Sequence, residues 1–151
     1  MAEILINHLY SHSFMENCIF CKIASKVISA EIIYEDKNSI AFLDNKPHSK
    51  GHTVVIPKVH ALTFLEMNDA AFISLLLTVK KTALKIQKVL EPDGFNIGWN
   101  HNSAAGQVVP HFHIHILPRY NGDGGGSMHS IIKNPGKLSV IEVANLFKVK
   151  K

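Results

Sequence analysis

Histidines stand at three alternate positions, His111, His113 and His115, with Phe112, Ile114 and Ile116 between and after them and prolines at 110 and 118. Successive side chains of a β-strand point to opposite faces. A strand here puts three imidazoles on one face and three apolar side chains on the other. A row of imidazoles has no packing use, because apolar side chains fill the same space without polar atoms to satisfy. It has chemical uses, since imidazole is a nucleophile, a proton carrier and a metal ligand near neutral pH. Chance must be weighed first. The chain holds ten histidines, and such a triple arises at random in roughly a few per cent of chains so composed. The rest of the sequence has to decide.

A chain of 151 residues fits one domain and can bury a substantial core. Apolar content of 46% and charged content of 19% are those of an ordinary globular protein. No apolar run approaches the length that spans a bilayer, and no basic region precedes a long apolar stretch at the N-terminus. The expectation is a cytoplasmic protein without a membrane partner. The net charge of +4 comes from scattered lysines and arginines. It mildly favours anionic ligands, but no recognition motif accompanies it, so no nucleic-acid polymer is expected. Residues 1–14 read as an N-terminal extension, with His8 and His12 on an exposed tail and Met15 a candidate initiator. Residues 15–151 read as a single domain.

The pattern predicts a short helix over 16–25 and β-strands over 30–35 and 39–43, joined at Asp36-Lys37-Asn38 as a hairpin. A third strand runs over 51–57 and stops at a proline. The strongest helix signal covers 68–90, capped by Asn68 or Asp69. Its apolar stripe is Phe72, Leu75, Leu76, Val79, Ala83, Ile86 and Leu90. A fourth strand over 95–100, a small-residue loop over 102–107, the histidine strand, a glycine-rich loop over 123–126 and a terminal helix over 138–148 complete the chain. The order implies a largely antiparallel sheet with helices, an α+β arrangement.

The only cysteines are Cys18 and Cys21. They could be half of a zinc site, a redox pair or two small buried apolar groups. The segment before Cys18 is not strand-like, which disfavours a thioredoxin-like redox pair. Zinc would need two more ligands, and histidine is the available type.

The segment His111-Phe112-His113-Ile114-His115-Ile116-Leu117 resembles the His-x-His-x-His-x-x motif of the histidine triad superfamily, with x apolar. Asn100, Gly106-Gln107, Pro118-Arg119, Cys18-Ile19-Phe20-Cys21, Ala41-Phe42-Leu43-Asp44 and the run from Gly51 to His60 stand at the expected distances. The likeness is closest to the bacterial-type branch related to the nucleoside phosphoramidases, and looser to the dinucleoside polyphosphate hydrolases. It implies a HIT-like fold with about five largely antiparallel strands, one long helix and a few short ones. It also implies a nucleotide hydrolase or transferase acting at an α-phosphate.

By the same resemblance His113 is the nucleophile, giving a covalent nucleotidyl-histidine that divides one hard step into two. His115 donates to the nonbridging phosphate oxygens. His111 and His52 orient the pair and relay protons. Asp44 accepts from ribose hydroxyls, Phe20, Ile23 and Phe42 wall the base, Asn100 lies near the leaving group, and Gly106 and Gln107 present backbone N–H groups. Core packing is the alternative account of the three wall residues, and for Ile23 and Phe42 it is nearly as good. Val108 departs from the animal phosphoramidases, which carry a leaving-group serine there. Asn45 departs too, replacing a residue that is usually apolar. The resemblance maps a structural zinc onto Cys18, Cys21, His60 and His111, requires no catalytic cofactor, and implies a homodimer with an adenosine-type substrate. A nucleotide-binding regulatory or scaffold protein with incidental hydrolysis, and a zinc hydrolase using the three histidines as ligands, are the alternatives.

Overall fold

The computed structural model describes residues 17–149, so the expected extension over 1–14 lies outside the described residues. The strands are β1 (Ile32–Glu35), β2 (Ser39–Leu43), β3 (Thr53–Pro57), β4 (Gly94–Gly98) and β5 (Ile114–Arg119). They form one sheet in the order β1-β2-β3-β5-β4, and every neighbouring pair is antiparallel. Among the described residues the α-helices are α1 (Ile19–Ala24), α2 (Asp69–Leu90) and α3 (Val140–Val149). The α+β expectation, with one long helix and shorter ones, holds.

The hairpin between β1 and β2 is closed by Asp36. Its Oδ1 accepts from the N–H groups of Asn38 and Ser39, both at 2.9 Å, and its Oδ2 from the Thr78 hydroxyl at 2.6 Å. One carboxylate thus shapes the turn and ties it to α2. Asn68 caps α2, its Oδ1 accepting from the Ala71 N–H at 2.9 Å. The helix ends where Glu91 turns left-handed at φ 48° ahead of Pro92.

The buried line of α2 is Leu75, Thr78, Val79, Thr82 and Ile86. The periodicity placed Leu76 on that stripe, but Leu76 is 40% exposed. Two threonines occupy the centre instead. The Thr78 hydroxyl donates to Asp36 and that of Thr82 to the Thr78 carbonyl at 2.8 Å. Satisfied hydroxyls can be buried at little cost, so the stripe rotates toward them. Leu76 is left outside with Ile73, Leu77 and Leu84.

The sheet has a core on each face. Against α2 pack Ala41, Val55, Phe112, Ile114 and Ile116. Against α1 pack Ile40, Phe42, Val54 and Ile56, with Cys18, Phe20 and Ile23 from the helix side. The alternation read from the histidine segment therefore sorts its apolar members to the α2 face. The ladder itself begins only at Ile114, later than expected. In the β3–β5 register Pro57 would oppose Phe112, and proline has no N–H to give. Phe112 donates instead to the Ala61 carbonyl at 2.6 Å. His111 and His113 thus precede the paired strand while keeping its alternation.

Candidate active site

Hydrogen bonds assign the tautomers of three histidine rings at the cleft, His113, His52 and His115. Nδ1 of His113 lies 2.7 Å from the His111 carbonyl oxygen and must donate to it. That leaves Nε2 of His113 with a free lone pair. The His48 N–H donates to Nδ1 of His52 at 3.3 Å. The His52 proton therefore sits on Nε2, which donates to Nδ1 of His115 at 2.9 Å. The His115 proton in turn sits on Nε2. The pair His113–His115, with ring centroids 4.9 Å apart, accordingly offers one nucleophilic nitrogen and one N–H donor. Burial holds His113 and His52 below the ordinary imidazole range. Burial, reinforced by His113 and His52, lowers His115 to about 4. The rings are neutral at pH 7.

These groups open onto a cavity of about 1090 Å³ on the α1 side of the sheet. Phe20, Ile23 and Phe42 form an apolar wall, with the Phe20 ring edge-on to Phe42 at 5.7 Å and to His113 at 5.2 Å. Asp44 stands at the end of β2. Its Oδ1 accepts from the Lys46 N–H at 2.8 Å, and its Oδ2 lies 3.7 Å from His52 Nε2. Asn100, Gly106 and Val108 line the same cavity. Gly106 turns left-handed at φ 92°, a conformation suited to glycine.

Gln107 does not reach the cavity. Its side chain bonds Asn102, Leu62 and Val109. Its N–H donates to the Asn102 carbonyl and that of Gly106 to Ser103. The two N–H groups expected to meet phosphate are spent on closing the loop. His111 is also turned away. Its Nε2 donates to the Pro57 carbonyl at 2.9 Å and its Nδ1 faces the cysteines. The ring cannot relay a proton to His113, and its contribution to His113 is its carbonyl.

His111 belongs to a second cluster. The ligand atoms of Cys18, Cys21, His60 and His111 all lie within 4.8 Å of one another. Nδ1 of His111 is 3.4 Å from Cys18 Sγ, 3.5 Å from Cys21 Sγ and 3.3 Å from His60 Nδ1, and Cys21 Sγ is 3.3 Å from His60 Nδ1. A tetrahedral zinc with Zn–S of about 2.3 Å and Zn–N of about 2.05 Å sets S···N near ~3.5 Å and N···N near ~3.3 Å. The donor set fits that ion in both chemistry and spacing. Burial pushes the Cys21 thiol up to about 12, so a thiolate there needs a cation beside it.

Several cavity residues were not anticipated. His48 sets the tautomer of the whole relay, and its position four residues before His52 was the only signal. Trp99, Met128 and Ile131 also line the cavity. The latter two arrive because Arg119 bonds both Asp123 carboxylate oxygens, the Asn96 side chain and the Gly126 carbonyl, folding the following segment back. Nothing local in sequence announces that return.

An antiparallel five-stranded sheet with alternating histidines beside a cleft is a recognisable class, and residues 25–122 match the HIT domain family model. The chain belongs to the HIT family. An uncharacterized HIT-like protein of Methanocaldococcus jannaschii is 47% identical over 117 residues, covering 78% of this chain and 90% of that protein. An adenosine 5'-monophosphoramidase of Schizosaccharomyces pombe is 40% identical over 109 residues, covering 72% of this chain and 79% of that protein. Among solved structures, a HIT family member from Bacillus subtilis is 37% identical, with a TM-score of 0.76 over 87% of this chain and 93% of that one. Among the described residues no helix is long and apolar enough to cross a membrane.

Proposed function

We propose that this protein hydrolyses an adenosine-type nucleoside phosphoramidate or dinucleoside polyphosphate at the α-phosphate. One observation carries the reading: His113 keeps Nε2 unprotonated while its neighbour His115 keeps Nε2–H. Nε2 of His113 attacks phosphorus, and the bond to the leaving group breaks as the N–P bond forms. The leaving group departs with the bonding pair and takes one proton from solvent. His115 donates to the nonbridging oxygens, where charge concentrates. A water then attacks phosphorus, the N–P pair returns to Nε2, and the proton released restores the balance. The products are a nucleoside monophosphate and the protonated leaving group. Asp44 accepts from the ribose, and the Phe20, Ile23 and Phe42 wall takes the base. The name of the Schizosaccharomyces pombe relative supports the substrate class. Mass spectrometry of protein quenched with a slow adenosine phosphoramidate tests the reading. An adenylyl adduct on His113 is expected, and turnover without any adduct overturns it.

A structural zinc on Cys18, Cys21, His60 and His111 is part of the proposal. When bound, a closed four-ligand zinc supplies folding energy rather than an open catalytic position. Those ligands would tie α1 to the segment whose carbonyl orients His113. Elemental analysis of protein purified without chelator should find about one zinc per chain, as four protein ligands require. A homodimer is supported by the edge position of β4 among the described strands and by exposed Leu76, Leu84 and Ile97 that line one shallow apolar depression with Phe95 of β4. Light scattering should return twice the chain mass. Val108, 89% exposed and unable to donate a proton, favours a second reading of nucleotide binding with incidental hydrolysis. Turnover near background with every phosphoramidate tested would select that reading.

A further inference from the structure

We propose that Asp44, His52 and His115 form a second cation site, taking a divalent transition-metal ion of the zinc type at the mouth of the relay and switching the cleft off. One ligand atom from each of the three lies within 4.8 Å of the others. Nε2 of His52 is 2.9 Å from Nδ1 of His115 and 3.7 Å from Asp44 Oδ2. Tetrahedral zinc asks for N···N of ~3.3 Å and N···O of ~3.4 Å, to about 0.1 Å, so the two separations made by His52 adjust by only a few tenths of an ångström, while that between Asp44 and His115 lies within 4.8 Å.

All three groups are held from behind. His52 is 3% exposed, so its ring is fixed by the packing around it. His115 sits in β5 between Val54 and Gly98. Asp44 is pinned through Oδ1 by the Lys46 N–H. Two imidazoles and one carboxylate suit zinc, nickel or copper and not magnesium, which prefers oxygen ligands and keeps its waters. All three residues line the cavity, so further coordination positions face solvent.

Binding has a definite proton cost. The His52 proton must move from Nε2 to Nδ1, which gives up both the bond to His115 and the bond from His48. No net proton is lost. The cation then holds Asp44 Oδ2, the carboxylate oxygen not used by Lys46 and the one left for a ribose hydroxyl. Cation and nucleotide therefore exclude one another. The cation site stands on its own three residues, whereas the exclusion rests on the nucleotide reading above.

Cobalt(II) is the probe, since its visible spectrum separates thiolate from non-thiolate ligation. Titrating the full chain should show two classes of site, one with thiolate charge transfer and one without. Asp44→Ala and His52→Ala should each weaken the non-thiolate class more than about tenfold while leaving the thiolate band, which also reports an intact fold. Saturating AMP should remove the non-thiolate class. A wild-type spectrum with the thiolate class alone overturns the site, as does a second class that survives both substitutions. A second class unmoved by AMP that demonstrably binds overturns the exclusion. Failure of AMP to bind at all counts against the nucleotide reading, and the Asp44→Ala spectra then decide the site.

Discussion

The His111 carbonyl oxygen receives the Nδ1 proton of His113 across 2.7 Å, so the first histidine of the triple aims the second with its backbone. Its own ring faces the other way, toward Cys18, Cys21 and His60. A substitution at 113 and one at 111 should therefore differ in kind. His113→Ala removes the attacking nitrogen, and turnover should fall at least about 10³-fold while AMP affinity stays within about tenfold, or ~1.4 kcal/mol. His111→Ala keeps the carbonyl and loses the ring, so its main effect should be on Tm. Steady-state kinetics with calorimetric AMP titration checks the first, and thermal unfolding the second. Full turnover by His113→Ala would remove the mechanism.

Acid should destabilise the fold in a defined window. The unfolded histidines titrate near about 6.5. Burial lowers His115 to about 4 in the folded state. Between those values the unfolded chain binds protons that the folded chain does not. The contribution of His115 to stability therefore falls as pH drops from about 6.5 to about 4, with no further change below it. His115→Asn should flatten the Tm profile in that window. An unchanged slope in this variant would remove His115 as a source of the acid loss.

The periodicities that reached furthest were those enforced by a sheet with two buried faces. Phe112, Ile114 and Ile116 could only go to one side once the histidines went to the other, and they form the α2 core. The long helix was legible for its cap and its ends. Its centre was not, because Thr78 and Thr82 look polar until Asp36, 42 residues away from Thr78 along the chain, supplies the acceptor. The cysteine–histidine cluster rested on resemblance alone, since nothing near Cys18 points to His60 or His111. Gln107 illustrates the opposite failure. Its position beside the histidine strand suggested ligand contact, whereas its hydrogen bonds close the loop. Pairings distant in sequence carry no local signal, and the cavity wall contributed by Met128 and Ile131 belongs to that class.

Arg119 holds that wall. Its guanidinium bonds Asp123 through two nitrogens and also reaches Asn96 and Gly126. It closes the segment that carries Met128 and Ile131 onto the cavity. Arg119→Met keeps the aliphatic stem and removes every donor. Michaelis constants should rise about 3- to 30-fold, with kcat less affected because the histidines are untouched. Arg119→Lys should rescue little, as an ammonium cannot reproduce the planar fork. Unchanged KM in Arg119→Met would show that the segment does not contact substrate.

Val108 tests how the leaving group is handled. It lies on the cavity lining between the loop closed by Gln107 and the segment leading to His111, and its side chain is almost fully solvent-facing. A valine there can neither donate nor accept, so the departing group depends on water for its proton. Val108→Ser introduces a hydroxyl at that point without disturbing a packed neighbour. A departing amine needs that proton most, because it leaves as a poor anion, whereas a phosphate leaves well already. Turnover of an adenosine phosphoramidate should therefore rise about 3- to 10-fold, equivalent to roughly 0.7–1.4 kcal/mol in the barrier. Turnover of a diadenosine polyphosphate should change less than about twofold. The two rates measured side by side on one variant provide the check. Equal changes for both substrates would mean that residue 108 acts on binding and not on the departing atom.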